Sequence, residues 1–354
     1  MTSNIIKYLN FSPSLNNNNN ISRKSWIIGN VGIKENTIIK DHVVLRGDGE
    51  KIKIGKDCIF YERSTVHVAS DYLGSRVGDR CVIGRESVIH ACILSHDVLV
   101  GDHAVIMDGS VVGNNSVVAA DSLISPGKKF PPFSIIAGSP AKKIRSIDSL
   151  EYNELRLNYN KKNKNIFDSS NVFRKEDVFK KKPLIDIEEQ KNIKKKNTFI
   201  SPDAVLNIEF YIEDFASIWF GVKILSKSKK SSLSLGRGSN IQDNTIIFNQ
   251  SKESVIGKRV TIGHNVVING PIKIGNDAVI GMGSYIEHDC IIENDAFVAA
   301  NSYLKKNTVV PKNKIFAGNP GIYFRDKSIS EKKYFKSGQK IYEKLSKDYC
   351  QIFN

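Results

Sequence analysis

The chain has 354 residues, a formal net charge of +15, 9% aromatic residues and five cysteines. The length suggests about two domains, and 40% hydrophobic residues suffice for packed cores, which excludes a wholly disordered chain. Apolar runs stay well short of the about 20 residues of a membrane-spanning helix, and the scattered cysteines predict neither a disulfide framework nor a zinc knuckle.

The start of the chain, residues 1–20, is predicted to be a low-complexity segment. Residues 1–34 contain no Asp or Glu, but they include several serines, a small apolar cluster and the asparagine run 16–20. An acidic-poor, serine-containing start is typical of an organellar transit peptide. The same composition fits an asparagine-rich tail. The first interpretation predicts a mitochondrial protein, and the second leaves the protein in the cytoplasm.

Aliphatic residues recur every six positions in both halves of the chain. In the second half the recurrence is unbroken: Ile256, Ile262, Ile268, Ile274, Ile280, Ile286, Ile292, Val298 and Leu304. The first half has the same spacing in two phases, over 77–89 and 94–124. A period of six fits neither an amphipathic helix nor an alternating strand. It predicts a triangular solenoid whose sides are short strands and whose apolar residues point at the axis.

A larger duplication predicts two such solenoids. The segment 137–140 (Ala-Gly-Ser-Pro) reappears 180 residues later as 317–320 (Ala-Gly-Asn-Pro). We therefore predict an all-β fold of two tandem parallel β-helix domains, each followed by an α-helix. The predicted bounds are β-helix domain 1 at 21–145, a lysine-rich linker with a helix at 146–196, β-helix domain 2 at 197–325 and a C-terminal helix at 326–354.

The linker accounts for much of the obvious positive charge. Its lysine runs lie at 161–162, 180–182 and 194–196. Such runs could meet an anionic lipid surface or nucleic acid. No aromatic residues alternate with them at a spacing suited to base stacking, so a solvated linker without a nucleic-acid partner is the favoured interpretation.

Three of the seven histidines lie within a set of short sequence motifs that occurs, in part, in each domain. Domain 1 reads Arg46-Gly47-Asp48, Val66-His67-Val68, Ile83-Gly84-Arg85 and Ile89-His90-Ala91-Cys92. Domain 2 reads Asn240-Ile241-Gln242-Asp243, Ile247-Phe248, Ile262-Gly263-His264 and Ile268-Asn269. These pieces resemble the γ-class carbonic anhydrases and their γ-like relatives, which are hexapeptide-repeat proteins. The resemblance implies a left-handed β-helix and a metal held by three histidines at a trimer interface.

The resemblance implies one composite metal site in this chain. Domain 1 has the two histidines that one side of the family interface supplies, His67 and His90, whereas Arg85 occupies the third position. Domain 2 has only the histidine of the other side, His264. Because the losses are complementary, we expect packing of the two domains to assemble His67, His90 and His264.

The resemblance also assigns polar residues to this site. Gln242 is expected to orient water or substrate, and Arg46 with Asp243 to form a buried brace across the interface. Three neutral imidazoles with one open position are typical of catalytic zinc, although Fe²⁺ and Co²⁺ also suit imidazole. The implied activity is that of a lyase, the reversible hydration of CO2 to bicarbonate by metal-bound hydroxide. Asp71 and Glu62 are candidate proton acceptors.

Two other functions stay open. Several γ-like proteins are non-catalytic structural subunits of mitochondrial respiratory complexes, which implies peripheral association with a membrane complex. Triangular β-helix domains of this type assemble into trimers. A third γ-like β-helix domain from another chain is therefore expected beside these two. The less favoured class is the hexapeptide acyltransferases, whose solenoid and Gly-Asn-Pro-Ala-Lys-like ending are matched loosely by 138–142.

Overall fold

The computed structural model describes residues 4–16, 18–70, 72–165, 197–226, 228–250 and 252–353. These residues form two parallel β-helices in tandem, each followed by an α-helix, which confirms the fold predicted from the period of six. The linker residues 166–196, with the lysine runs 180–182 and 194–196, lie outside the described residues.

The first β-helix is built from coils of three short strands. Strands of successive coils pair in parallel and in register, with Val88 opposite Thr65 and Val105 opposite Val88. The long strand Val44–Ile54 pairs with strands of two faces and so turns a corner of the prism. The strands are Ile5–Ile6, Ser14–Leu15, Asn20–Ile21, Trp26–Ile33, Ile38–Ile39, Val44–Ile54, Ile59–Phe60, Thr65–His67, Ser75–Val77, Val82–Ile83, Val88–His90, Ile93–Leu94, Val98–Val100, Val105–Ile106, Val111–Val112, Ser116–Val118, Leu123–Ile124, Lys129–Phe130, Ser134–Gly138 and Ala141–Ser146.

The second β-helix has three separate sheet faces. One face has eight strands and each of the other two has six. Its strands are Phe199–Ile200, Val205–Asn207, Glu209–Ile212, Ser217–Ile218, Lys223–Ser226, Ser232–Leu235, Asn240–Ile241, Ile246–Asn249, Ser254–Ile256, Thr261–Ile262, Val267–Gly270, Ile272–Ile274, Val279–Ile280, Tyr285–Ile286, Cys290–Ile292, Phe297–Val298, Tyr303–Leu304, Val309–Val310, Lys314–Gly318 and Gly321–Asp326.

The aliphatic residues of the six-residue period fill the axis of each prism. In the second β-helix, Ile262, Ile268, Ile280 and Ile286 are all fully buried in one continuous core. Corners between faces use the left-handed backbone conformation, for example at Asn265 (φ 55°), where a short polar side chain tolerates it. A short strand followed by such a corner accounts for the period.

Helix α1 (Ser149–Asn165) covers one face of the first β-helix. It begins after Asp148, whose Oδ1 accepts a backbone N–H of the first turn at 2.8 Å and so caps the helix. Tyr152 is fully buried against the face. Asn163, farther along the helix, accepts a hydrogen bond from Arg85. The arginine that replaces a family histidine therefore lies beneath α1.

Helix α2 (Ile329–Phe353) lies across the junction of the two β-helices. Ser328 and Glu331 form a reciprocal capping box, in which each side chain accepts the backbone N–H of the other residue. Tyr342 and Tyr349 are buried in an aromatic cluster with residues of both β-helices. Within the described ranges, neither helix is long and apolar enough to cross a bilayer.

Residues 4–16 pack onto the first β-helix. Their strands Ile5–Ile6 and Ser14–Leu15 pair in parallel with Trp26–Ile33. Tyr8 lies between these strands and is buried. Its hydroxyl donates a hydrogen bond to the carboxylate of Asp348 in α2 at 2.8 Å. This part of the segment predicted as low-complexity therefore joins the C-terminal helix to the first prism.

The junction brings equivalent corners of the two β-helices into contact. Asn301 donates to the carbonyl of Asp121, which lies 180 residues earlier, at 2.7 Å. Arg63 likewise donates to the carbonyl of Asn244 at 2.6 Å. Both contacts therefore join a corner of one β-helix to its counterpart on the other.

Gly283 allows the junction to close tightly. It has a positive φ of 71°, and a Cβ atom there would lie 2.7 Å from Cγ2 of Val105 on the other β-helix. Val88 and Val105 are consequently fully buried against Ala300. The face of the first β-helix that carries them also carries His67 and His90, so this contact positions the candidate site.

Candidate metal centre

Two adjacent strands of the first β-helix align His67 and His90. The strands Thr65–His67 and Val88–His90 pair in register, with His90 opposite His67. Val66 and Ile89 point at the prism axis, and because side chains alternate along a strand the two histidines point outward. They face the second β-helix.

His264 approaches from the second β-helix. It follows the strand Thr261–Ile262 at a prism corner and is fully buried at the junction. Its ring centroid lies 5.0 Å from that of His67 and 5.9 Å from that of His90. One nitrogen from each of the three rings lies within 4.8 Å of the others. Docking of the two prisms therefore forms a three-histidine group that could hold a metal ion.

A carboxylate lies beside one nitrogen of each ring. Asp48 Oδ1 is 3.0 Å from Nε2 of His67, and Asp108 Oδ1 is 2.6 Å from Nδ1 of His90. Asp243 Oδ2 is 3.1 Å from Nδ1 of His264. The carboxylates leave Nδ1 of His67 and Nε2 of His90 facing each other at 3.3 Å. A carboxylate behind each ligating imidazole is the usual support of a metal site.

Burial keeps two of these histidines neutral. It lowers the pKa of His67, with help from the nearby positive charge of Arg46, to about 3. Burial likewise lowers the pKa of His264 to about 4, although Asp243 opposes the shift. Neutral imidazoles are the form that binds a metal ion.

Arg46 links the two β-helices through one buried charge. It is fully buried, bonds to Asp48 of the first β-helix and lies 3.1 Å from Asp243 of the second. Its guanidinium stands 4.2 Å over the ring of Trp219. Burial favours the neutral acids, but Arg46 nevertheless holds the pKa of Asp48 and of Asp243 below the usual range. Both aspartates therefore stay ionised.

The charges around the histidines fit a divalent cation. The surrounding carboxylates are Asp48, Asp108 and Asp243, against the single guanidinium of Arg46. With neutral histidines, a doubly charged ion would balance this excess of negative charge, which is costly to bury uncompensated. Nε2 of His264 has no hydrogen-bond partner within the described part of the chain. A metal ligand needs such a free nitrogen.

A cavity of about 430 Å³ opens beside the histidines, beneath α2. His67 and His90 form part of its wall. Gln242 also lines the cavity and donates from Nε2 to Asn240 at 3.1 Å. Its buried Oε1 has no hydrogen-bond partner among the described residues. The site thus has an open side with an unused acceptor next to it.

The chain has relatives among known proteins of this fold. The family described as "Bacterial transferase hexapeptide (six repeats)" matches residues 253–286 and 271–306. "Gamma carbonic anhydrase 2, mitochondrial" of Arabidopsis thaliana is 32% identical over 145 residues, which are 40% of this chain and 52% of that protein. "Carnitine operon protein CaiE" of Escherichia coli is 32% identical over 132 residues, 37% of this chain and 67% of that protein. The chain belongs to the γ-carbonic-anhydrase-like family of hexapeptide-repeat proteins.

The similarity covers only part of the plant relative. The chain spans about half the length of the Arabidopsis relative, 52%, so the activity of that protein applies to this chain only as a proposal. A putative acetyltransferase from Desulfovibrio desulfuricans has the same fold over 94% of this chain and 78% of its own, with a TM-score of 0.56. At 16% identity that likeness concerns the fold alone.

Of the two proton acceptors considered from the sequence, Glu62 does not join this γ-like site. Glu62 lies 3.2 Å from Arg85, on the face that α1 covers. Asp71 lies outside the described residues. The sequence gives no better candidate, whereas the structure places Asp108 and Asp48 in the cavity wall.

Some residues of the site were missed by sequence reasoning. Asp108 lies 18 residues after His90, one coil along the solenoid, and that spacing could have found it. Tyr342 accepts from Arg46 at 3.2 Å, and Tyr349 donates to Asp48 Oδ2 at 2.8 Å. These contacts depend on where α2 crosses the junction, for which the solenoid repeat offers no signal.

Proposed function

We propose that this protein binds one metal ion at His67, His90 and His264 and hydrates CO2 reversibly to bicarbonate, as a lyase. The observation that carries the proposal is the meeting of the three rings across the junction, each with a carboxylate beside it. Zn²⁺ is the favoured ion, and Fe²⁺ or Co²⁺ would also suit imidazole. The names of the plant relatives support the substrate.

The protein's own groups would orient the reactants. When bound, Zn²⁺ would lower the pKa of a coordinated water to about 7 and so supply a nucleophile at neutral pH. The unused Oε1 of Gln242 would accept a hydrogen bond from the attacking water or from the hydroxyl of bicarbonate. Asp108 holds Nδ1 of His90, which fixes the ring and leaves Nε2 free. Arg46 and Asp243 would hold the two prisms in the register that the site needs.

Metal analysis with matched variants tests the proposal. We expect about one ion per chain in the reconstituted protein, lost in His264→Ala and kept in His288→Ala. His288 is a suitable control because it also lies beside a carboxylate, Asp289 at 2.8 Å, but on the surface. Purified protein that takes up no Zn²⁺, Fe²⁺ or Co²⁺ would refute the metal centre. Bound metal without CO2 hydration would refute the enzyme and favour a structural role.

A structural role is the second candidate, because among the described residues one face of the second β-helix lacks the neighbour that its counterpart on the first β-helix has. On the second β-helix, Phe248 and Asn269 replace the histidine pair, and Tyr285 in the same sheet is 39% exposed. The equivalent row of the first β-helix, including Val105, is buried at the junction. A third γ-like β-helix domain from another chain would cover this face and close a trimer.

Assembly and location can be tested together. Light scattering of the purified protein would reveal whether chains associate by themselves, and fractionation would test the mitochondrial location that the plant relatives' names support. We expect co-migration with a larger, peripherally attached membrane complex if the role is structural. A cytoplasmic monomer without such a partner would refute that role.

A further inference from the structure

The cavity beneath α2 is far larger than CO2 requires. Its volume is about 430 Å³, whereas one water occupies about 30 Å³ in the liquid. Sites for small organic molecules typically measure about 300–1,000 Å³. We propose that this cavity binds a medium-chain monocarboxylate, with its carboxylate toward the histidines and its alkyl chain beneath α2. The orientation rests on the proposed metal centre.

The walls of the cavity divide into a polar end and an apolar body. His67 and His90 lie at the polar end, where an open metal position would take an anionic oxygen. Phe335 and Ile341 of α2 and Met282 of the second β-helix supply apolar surface. An apolar body with a few polar groups at one end is the usual form of a ligand site. An alkyl chain ending in a carboxylate matches that division.

With a divalent ion bound, the charges of the lining would not oppose an anionic head group. Lys344 of α2 contributes a cation to the wall. The two lining carboxylates are already engaged, Asp48 with Arg46 and His67, and Asp108 with His90. A bound divalent ion would offset these carboxylates, so an incoming carboxylate would meet no uncompensated negative charge from them.

Gly338 keeps the cavity open from the side of α2. It lies within the helix and lines the cavity, and a Cβ atom there would have no heavy atom within 4 Å among the described residues. A glycine in a helix interior destabilises by about 0.5–1 kcal/mol relative to alanine. Alanine would therefore fit and would stabilise the helix. The glycine leaves space that any larger side chain would occupy.

Binding of octanoate and acetate to the full-length protein tests the inference. Octanoate has six more methylene groups, and because burial of each favours binding, we expect it to bind at least about 100-fold more tightly than acetate. Gly338→Leu should fill the space and weaken octanoate binding at least tenfold while leaving acetate unchanged. Lys340→Leu, which adds the same side chain to an exposed position of α2, is the control and should change neither affinity.

The outcomes separate the cavity from the metal centre. Calorimetry is run on metal-loaded protein and on His264→Ala, and thermal unfolding checks that each variant is folded. We expect His264→Ala to lose the metal and to keep its preference for octanoate. Wild-type protein that takes up no metal but still prefers octanoate would refute the metal centre alone. Equal affinities for the two acids would overturn the cavity proposal, as would undiminished octanoate binding in a folded Gly338→Leu protein. If Gly338→Leu fails to fold, Gly338→Ala provides the smaller obstruction, with a smaller loss expected.

Discussion

Removal of the buried charge of Arg46 is the sharpest test of the junction. The side chain is fully buried and contacts one aspartate on each β-helix. Arg46→Met keeps an apolar side chain but leaves Asp48 and Asp243 without their cation. Breaking a buried ion pair in this way costs about 3–5 kcal/mol. We expect a loss of that size in the metal-free protein and a smaller loss with Zn²⁺ bound, because the ion restores positive charge.

Tryptophan fluorescence can follow this loss at the junction itself. The chain has two tryptophans, and both Trp26 and Trp219 are buried in the aromatic cluster beneath α2. With a urea dependence of about 3 kcal/mol/M, a loss of 3–5 kcal/mol lowers the unfolding midpoint by at least about 1 M. Arg80→Met is the matched control. Arg80 also forms two hydrogen bonds to one carboxylate, that of Asp97, but its side chain is 43% exposed.

The control should lose less than about 1 kcal/mol, because solvent screens an exposed pair. If Arg46→Met and Arg80→Met unfold at the same urea concentration, the buried brace does not hold the junction and the reasoning is refuted. If Arg46→Met loses the full 3–5 kcal/mol of unfolding free energy both with and without Zn²⁺, the bound ion does not offset the charges of Asp48 and Asp243.

Further predictions concern the support of the site and the solenoid. Asp108→Asn removes the carboxylate behind His90 and should weaken Zn²⁺ affinity about 10–100-fold; an unchanged affinity in competition with a chromophoric chelator would contradict that role. Burial, with help from nearby cations, lowers the pKa of His42 to about 4. Since this lies below the unfolded value of about 6.5, the stability present above pH 6.5 should fall as the pH drops toward 4, and His42→Gln should flatten that part of the unfolding profile. Gly281→Ala and Gly338→Ala should have opposite effects on thermal unfolding. A Cβ atom at Gly281 would lie 2.3 Å from a backbone nitrogen of the next coil, whereas one at Gly338 meets open space; a destabilised Gly338→Ala protein would refute this account of the helix.

Part of the site could be predicted because the motifs of the family set the positions of the histidines along the coils. The spacing that aligns His67 with His90 is a property of two consecutive coils, and the step from Ile262 to His264 lies within one coil. The role of Asp108 was available from the same rule of one coil, but it was overlooked. The hydrogen bond of Tyr349 to Asp48, which spans 301 residues, was not available from any local pattern.

The sequence by itself determined the two solenoids, since each apolar residue of the six-residue period contacts only neighbouring coils and therefore needs only local spacing. It also singled out the three histidines. The tertiary structure decided that these histidines meet, because the distance between residues on two prisms depends on how rigid faces dock. Gly283 against Val105, the shared charge of Arg46 and the crossing of α2 set that docking. The cavity exists for the same reason, as it is enclosed by elements that are distant in the chain and adjacent only in the folded protein.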